Sequence, residues 1–362
     1  MNRSSLLNLK LSWKTAPLYF LLLTISLIYE AIVLLRLVFY QKGVLRKKSL
    51  KTPIISVGNL TVGGSGKTPM VDFLAKELLL QNKSCAILSR GYGNQTQSSV
   101  QRMLMSESIP IGPSRLGDEP YFLASRNPTV PVYVGKNRTL SGVFAQLWDS
   151  PQIFILDDGY QHIQLNRALN LLLIDADRGF GSGYLLPLGE LREPEHHWQR
   201  ADAVILTKCN LGFSDRLMHR LQSQLNITCP IFKFGYVPHR LRRLDHQKQL
   251  PLKILNQKKV LLNCGIANPD SFAAVLKQSK AEVLEILHLD DHLIYSKEKV
   301  AALLQQTRKW RPDYWVTTEK DAVKLRNFSE LEKKMWVLEM RVVPDPKWQE
   351  FFVDFLKRVE VK

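Results

Sequence analysis

A glycine-rich stretch between a short apolar strand and a helix start carries residues suited to phosphate chemistry. Residues 57–69 read VGNLTVGGSGKTP. Backbone N–H groups in such a turn converge on phosphate oxygens, while the following Lys and Thr reach the phosphates and a magnesium ion. The strict P-loop pattern has glycine where this chain has Thr61, and the structural alternative is an ordinary glycine turn. The predicted nucleotide-binding residues are Thr61, Val62, Gly63, Gly64, Ser65, Gly66, Lys67 and Thr68.

A pair of carboxylates follows the apolar stretch that begins at residue 153, IFILDDGYQH. A buried parallel strand there would deliver Asp157 and Asp158 to the carboxyl edge of a sheet, where phosphates bind. The pair predicts a magnesium-binding element, with Thr68 as a hydroxyl ligand. The alternative for one of the two aspartates is a cap on the next turn. His162 either binds substrate or satisfies a hydrogen bond at the strand end.

The elements that must position these residues alternate between apolar strands and helices. This alternation predicts an α/β fold, a P-loop NTPase-type doubly wound parallel sheet with an N-terminal membrane helix and a smaller C-terminal α/β domain. Strands are predicted at 54–57, 85–89, 130–134, 153–157, 169–175, 203–207, 260–264, 283–287, 314–318 and 335–338. Helices are predicted at 69–80, 138–148, 214–225 and 348–359. The predicted division is 1–40 (membrane-anchoring helix), 41–230 (P-loop core), 231–251 (linker or β-hairpin) and 252–362 (C-terminal domain).

Charge and composition limit the class of protein and its partners. The chain has 362 residues, too many for one ordinary core, and a net charge of +17. An excess of this size favours anionic partners, which are nucleic acid, acidic lipid headgroups or a phosphorylated substrate. The four cysteines form no metal-binding or disulfide pattern, which is typical of a reducing compartment.

The segment 18–40 is apolar except for Glu30 and Arg36, and basic residues flank it on both sides. A membrane-spanning helix needs ~20 apolar residues, so this segment is long enough to span or to lie in the interface. A cleaved signal peptide fits poorly, because the apolar run is long and starts late, and basic residues follow it instead of a small-residue cleavage site. The remaining alternative is a buried core helix.

With these motifs in order, the chain resembles the tetraacyldisaccharide 4'-kinase family, the lipid A 4'-kinases of Gram-negative bacteria. The resemblance covers nearly the whole chain. It implies transfer of the ATP γ-phosphate to the 4'-hydroxyl of a tetraacyldisaccharide 1-phosphate, with ATP and Mg²⁺ as cofactors, at the cytoplasmic face of the inner membrane. Its partners would be this lipid A precursor and the membrane lipid surface. Besides 57–69, the matching motifs are LSRGYG (88–93), GDEP (117–120), LDDGYQH (156–162), DADRGFGSGYLLPLGELREP (175–194), CGIANP (264–269), DDHLIY (290–295) and TTEKDAVKL (317–325).

The resemblance also implies catalytic roles. Asp118 would be the base that deprotonates the sugar hydroxyl, paired with His292 of the DH motif, and Lys67 would stabilise the transferring phosphate. Glu119 would assist the metal beside Thr68 and the aspartate pair. By residue type alone, Asp118 in a loop bounded by Gly and Pro indicates a turn former.

The remaining polar residues of these motifs are predicted to contact substrate. Arg90 either binds an anion or sugar or has no functional role. The glycine- and proline-rich segment 179–194 suits a substrate loop. The predicted substrate contacts are Arg90, Asn137, Arg138, Arg178, Glu190 and Arg192.

Two other classes of protein share some of these features. The stretch VILTKCN at 204–210 is similar to the guanine-reading loop of GTPases, but Asn210 stands where a base-binding Asp would be. A metallochaperone would need a ligand cluster that the cysteines do not form. Dispersed basic residues without a basic and aromatic stacking motif predict that nucleic acid is not a partner.

Overall fold

The computed structural model describes residues 16–91, 100–107, 116–210, 215–265, 269–288, 295–326 and 328–360. Within these ranges, the chain forms an eight-stranded and a six-stranded sheet with helices packed against both. The predicted α/β class is confirmed. Of the predicted catalytic residues, Lys67 and Asp118 each begin a helix, and His292 lies outside the described residues.

The first sheet is parallel except at one edge. In the part of the chain that is described, its order is β3-β4-β2-β5-β1-β6-β7-β8, and only β3 runs antiparallel to its neighbour. Its central strands are buried along their whole length, as expected for a sheet covered by helices on both faces. The strands are β1 Ile54–Asn59, β2 Cys85–Ser89, β3 Gln101–Met103, β4 Val132–Val134, β5 Ile153–Asp157, β6 Leu169–Asp175, β7 Ala203–Thr207 and β8 Ile231–Lys233.

The second sheet contains most of the segment predicted as a linker. Within the described residues its order is β10-β9-β14-β13-β11-β12. β9 and β10 form an antiparallel hairpin at its edge, whereas β8 completes the first sheet. Residues 231–251 are therefore divided between the sheets and do not form a separate linker. The strands are β9 Gly235–Arg243, β10 Gln249–Pro251, β11 Lys259–Cys264, β12 Glu282–His288, β13 Tyr314–Thr318 and β14 Met335–Val343.

The helices agree with the sequence prediction in part. The predicted helix 69–80 begins earlier, at Lys67, and the one predicted at 214–225 is α-helical only over Asp215–His219, with a π turn at Arg220–Gln224. Asp118 begins a helix, so the predicted tight loop at this residue is wrong. The helices are α1 Ala16–Gln41, α2 Lys67–Leu80, α3 Asp118–Arg126, α4 Arg138–Trp148, α5 Asp215–His219, α6 Pro269–Gln278, α7 Lys297–Trp310, α8 Glu319–Leu325, α9 Ser329–Glu332 and α10 Trp348–Glu360.

The C-terminal helix α10 packs with the first sheet, although the sequence prediction assigns it to the C-terminal domain. Trp348 is fully buried, and its ring lies 5.3 Å from that of Phe234 and 6.3 Å from that of Phe73, centroid to centroid. Phe352 stacks on Trp348 in the same core. The predicted boundary 252–362 is therefore wrong for this helix, because its aromatic face completes the core around α2.

Candidate functional site

The candidate site lies at the carboxyl edge of the first sheet. Five neighbouring parallel strands, in the order β2-β5-β1-β6-β7, each end in a buried polar residue. Carboxyl ends of parallel strands share one edge, so these side chains come together at the usual place for ligand binding in such sheets. In strand order they are Ser89, Asp157, Asn59, Asp175 and Thr207.

Two side-chain hydroxyl groups donate hydrogen bonds to the backbone carbonyls of the glycine-rich turn. The Tyr236 hydroxyl donates to the Gly66 carbonyl at 2.7 Å, and the Thr207 hydroxyl donates to the Ser65 carbonyl at 2.9 Å. Gly66 has φ +84°, and α2 follows it without a side-chain cap. The first N–H groups of α2 therefore point towards any anion at this edge, as in a phosphate loop.

The front of the turn is attached to the predicted substrate segment. The Val62 N–H donates to the Glu190 carbonyl at 2.8 Å, and Thr61 forms a β-bridge with Leu191. Arg178 and Glu190 pair with each other at 3.6 Å, and an added Cβ on Gly63 would lie 3.3 Å from the Arg178 guanidinium. Arg178 is therefore beside the phosphate loop.

Lys67, Asp158 and Arg192 form a chain of charges above the turn. The Lys67 ammonium lies 3.1 Å from the Asn59 amide oxygen and 3.6 Å from an Asp158 carboxylate oxygen. Arg192 donates to both oxygens of Asp158, at 3.0 and 2.9 Å. Burial acts to raise the pKa of Asp158, but Lys67 and Arg192 outweigh burial and hold this pKa below its ordinary value. Asp158 is therefore a fixed anion between two cations.

Asp157 is fully buried and is hydrogen-bonded to a serine, whereas Asp158 is paired with Lys67 and Arg192. Its carboxylate accepts a hydrogen bond from the Ser89 hydroxyl at 3.0 Å. Burial, followed by the negative charges of Glu119 and Asp158, raises the pKa of Asp157 to about 7. A divalent cation at this position would relieve that repulsion.

Protein groups alone do not form a complete cation site in the described ranges. No three His, Cys, Asp or Glu side chains within them are close enough to hold a metal ion together. Magnesium commonly takes one or two carboxylates plus substrate phosphates and waters. The oxygen donors Thr68 and Asp157 at the phosphate edge fit that kind of site.

Arg138 and Arg90 add positive charge near the two aspartates. Arg138 is buried at the start of α4, and burial, then Arg90, lower its pKa, whereas Asp158 and Asp157 raise it. Burial and these arginines also lower the pKa of His162 to about 4, so its imidazole is neutral at pH 7. The sequence predicts these groups at the same edge as Lys67, and their mutual electrostatic effects are consistent with that prediction.

Asn137 and His162 have local environments that bear on their predicted roles. The Asn137 side-chain oxygen accepts from the Leu140 N–H at 3.1 Å and so caps α4. The Nε2 atom of His162 is buried and has no hydrogen-bond partner in the described part of the chain. The strand-end hydrogen bond predicted for His162 is therefore not made by this atom, whereas Asn137 has a structural task as well as its predicted substrate contact.

An ion pair between helices α3 and α8 positions Asp118. Its carboxylate lies 3.0 Å from the ammonium of Lys324, a residue of α8. At the other end of the same helix pair, Arg126 lies 3.1 Å from Glu319. α3 and α8 are thus antiparallel, with an ion pair at each end. The predicted partner His292 lies outside the described residues.

The N-terminal helix α1 is attached to the site's loops along its second half. The Ser26 hydroxyl donates to the Leu185 carbonyl at 3.0 Å, the Tyr29 hydroxyl to the Arg192 carbonyl at 3.0 Å, and Arg36 to the Gln161 carbonyl at 3.3 Å. By length and composition α1 could cross a membrane, and 6% of its apolar stretch is buried in the protein. A buried core helix is therefore not its role.

The stretch 204–210 serves the phosphate loop and not base reading. The Lys208 ammonium donates to the Gly64 carbonyl at 2.9 Å and pairs with Asp175. The side chain of Asn210 both donates to and accepts from the backbone of Tyr236. Its amide is thus already used, which argues against the GTPase interpretation.

Sequence reasoning missed several polar partners of the predicted residues, among them Asn59, Ser89 and Lys324. The first two had a usable signal, because each is the last residue of an apolar strand, like Asp157. Lys324 gave no such signal, since its contact with Asp118 joins helices that are far apart in the chain.

Comparison with known proteins gives one consistent family. The model of the Tetraacyldisaccharide-1-P 4'-kinase family (LpxK) matches residues 18–357. The tetraacyldisaccharide 4'-kinase of Geobacter metallireducens is 37% identical over 305 residues, covering 84% of this chain and 88% of that protein. That of Syntrophus aciditrophicus is 35% identical over 359 residues, 94% of each chain. The crystal structure of "apo" form LpxK from Aquifex aeolicus in complex with ATP has 33% identity and a TM-score of 0.76, covering 94% of this chain and 99% of that one.

Proposed function

The chain belongs to the tetraacyldisaccharide 4'-kinase family and is an ATP-dependent kinase of lipid A biosynthesis that phosphorylates the 4' position, and we propose how its residues perform this reaction. The observation that carries the proposal is the convergence of Lys67 with Asp157 and Asp158 at the edge where the phosphate loop opens. The acceptor is the 4'-hydroxyl of tetraacyldisaccharide 1-phosphate, and the product is the 1,4'-bisphosphorylated lipid.

The phosphate loop and its cations bind and polarise the γ-phosphate. The Lys67 ammonium lies 3.1 Å from the Asn59 amide oxygen and 3.6 Å from an Asp158 carboxylate oxygen, at the start of the helix that follows the phosphate loop. Arg192 holds Asp158, so Lys67 is preorganised without being neutralised by a single partner. Charge that develops on the transferred phosphoryl group is stabilised by such fixed cations, and Arg138 and Arg90 add to it.

Asp118 accepts the proton of the 4'-hydroxyl as that oxygen attacks the γ-phosphorus and ADP leaves. Its neighbour Glu119 acts electrostatically on Asp157, which supports a position at the same edge. Lys324 orients the Asp118 carboxylate from the second sheet's helix. His292 is proposed as a second partner of this base, on the strength of the family resemblance.

Thr68 and Asp157 would hold Mg²⁺ with the nucleotide phosphates, and Asp158 and Glu119 would lie next to that shell. Bound there, the ion would neutralise charge on the phosphates during transfer. The raised pKa of Asp157 supports this assignment, because burial and the charges of Glu119 and Asp158 outweigh the attraction of Lys67 and leave the carboxylate suited to a cation. Arg178 and Glu190, beside the loop, are proposed to contact substrate.

We place the enzyme at the cytoplasmic face of the inner membrane, with α1 in the interface. The apolar run starts at Leu18, so eight residues precede Ser26, which is already hydrogen-bonded to the protein. Eight helical residues span ~12 Å, less than half of the ~30 Å hydrocarbon core. Contacts at Tyr29 and Arg36 keep the rest of α1 against the site's loops, which supports in-plane anchoring over spanning.

The test is transfer from γ-labelled ATP to the disaccharide 1-phosphate lipid by wild type and Asp118→Asn. Asn keeps the size of the side chain but cannot take up the proton, so a loss of about 10²-fold or more in kcat is expected. A GTP arm and a lipid-free arm serve as controls. Lipid labelling by Asp118→Asn at the wild-type rate would remove Asp118 as the base.

A further inference from the structure

Helix α4 presents an apolar face to solvent. All of its exposed residues are apolar, namely Leu140, Val143, Phe144, Leu147 and Trp148. Leu147 and Trp148 are the most open, with 77% and 66% of their surface accessible. Helices that cover a sheet in a soluble protein turn polar residues outward, and contiguous exposed apolar patches mark interaction sites.

The apolar face of α4 is a continuous stripe and not scattered exposure. Its residues recur at the helical spacing i, i+3, i+4, i+7 and i+8. The opposite face, with Ser141, Gly142 and Ala145, is buried against the protein. The rings of Phe144 and Trp148 stack with centroids 6.4 Å apart. The stripe thus has a defined surface, ending in two aromatic rings.

The segment that follows α1 packs against α4. Segment 42–51, directly after α1, packs on α4, since an added Cβ on Gly142 would collide with Leu50. One turn later, the side-chain amide of Gln146 lies 3.2 Å from the Thr52 hydroxyl. Val44 and Leu45 in this segment are themselves exposed. Segment 42–51 therefore forms a strip that connects α1 with α4 and carries exposed apolar residues of its own.

That strip is strongly basic. The segment 42–51 contains no acidic residue and five basic ones, namely Lys42, Arg46, Lys47, Lys48 and Lys51. Lysine and arginine beside an apolar face are typical of helices that bind anionic lipid surfaces, with about 1 kcal/mol contributed by each charge near the headgroups. Two copies of this chain joined through the stripe would bring two such segments together, which their repulsion disfavours.

We propose that the exposed face of α4 is a second lipid-contacting surface, which inserts Leu147 and Trp148 into the interface of an anionic leaflet. The inference rests on the membrane placement of α1 proposed above. Aromatic rings favour the interfacial layer, and leucine the acyl boundary beneath it. Because α4 begins at Arg138 beside the aspartate pair, this contact sets the site's height over the sugar headgroup.

The first experiment is quenching of tryptophan emission by brominated acyl chains. Full-length wild type and Trp148→Phe are bound to vesicles of mixed phosphatidylcholine and phosphatidylglycerol. The emission that Trp148 contributes, taken as the difference between the two proteins, should be strongly quenched. If brominated lipid leaves this Trp148 emission unchanged, the proposal is overturned. If wild type does not sediment with the vesicles at all, the membrane placement of α1 is refuted instead.

The second experiment compares two pairs of exposed apolar residues. Leu147→Ser with Trp148→Ser should weaken vesicle partition by about ten-fold or more, from the apolar area withdrawn from lipid. Leu79→Ser with Leu80→Ser, at the exposed end of α2, is the matched control and should leave partition unchanged. Equal losses in both pairs would contradict a specific α4 contact. The proposal would also be contradicted if light scattering in detergent showed that wild type is a dimer and that the α4 substitutions dissociate it.

Discussion

The ion pair between Asp118 and Lys324 gives the sharpest prediction about catalysis. The Lys324 side chain is 12% exposed and the Asp118 side chain 19% exposed. Their charged atoms lie 3.0 Å apart. Lys324→Gln keeps most of the side chain's length and removes the charge. The proposed base then loses a charged partner that orients its carboxylate towards the sugar hydroxyl.

The size of the effect follows from the contact. A hydrogen bond to a charged group contributes about 1.5 to 3 kcal/mol, which corresponds to about ten- to one-hundred-fold in rate when it acts only on the base. Lys324 contacts no residue of the phosphate loop in the described structure, so kcat should fall while KM for ATP stays within about two-fold. The assay is steady-state transfer to the lipid at several ATP concentrations, and Lys324→Arg should recover part of kcat.

Lys357→Gln is the matched control. It makes the same chemical change in a lysine that is 72% exposed and lies 3.8 Å from Asp354. Exposed pairs of this kind contribute little, so its kinetics should equal those of wild type. Wild-type kcat in Lys324→Gln, together with loss of transfer in Asp118→Asn, would refute the orienting role of Lys324 while leaving the base in place.

Two further predictions concern the ligand-free protein and are measured by thermal unfolding. Gly66→Ala should lower the unfolding free energy by about 1 to 3 kcal/mol, because Gly66 has φ +84° and an added Cβ would collide with the Tyr236 hydroxyl. Gly64→Ala is the control and should leave the unfolding free energy unchanged, because the space around Gly64 is open. Equal losses in the two variants would contradict this reasoning. Asp157 has a folded pKa of about 7 against about 3.9 unfolded, so its contribution to stability falls as pH rises from about 4 to about 7. Asp157→Asn should therefore gain stability relative to wild type over that range, and a difference that is independent of pH would refute the assignment.

The sequence could predict the elements whose pattern is local. Buried parallel strands appear as continuous apolar runs, so β2, β5 and β6 were predictable to the residue. The phosphate loop likewise combines a strand, glycines and a helix start within 57–69. The prediction of a tight loop at Asp118 was wrong for a physical reason. Pro120 lies in the first turn of α3, where no backbone hydrogen bond is lost, so proline there is compatible with a helix and not only with a loop.

Contacts between distant parts of the chain could not be predicted in this way. The amphipathic pattern of α10 predicts a helix but not which core it covers, and Trp348 meets Phe234 and Phe73 only in three dimensions. The pairing of Lys324 with Asp118 depends in the same way on how α3 and α8 meet. A single sequence gives the type and period of its elements, whereas the match of their surfaces decides the partner.

The proposed membrane helix α1 and the phosphate loop are connected by three successive contacts. The Tyr29 hydroxyl of α1 binds the Arg192 carbonyl, Arg192 holds both oxygens of Asp158, and Asp158 lies 3.6 Å from the Lys67 ammonium. Each link is a directional polar contact, so a displacement of α1 acts on the residue that fixes Asp158. The same backbone segment therefore seats the proposed membrane anchor and orders the charges around the transferring phosphate. An enzyme whose acceptor cannot leave the bilayer cheaply gains from this arrangement, because membrane seating and the order of the catalytic cations depend on one loop.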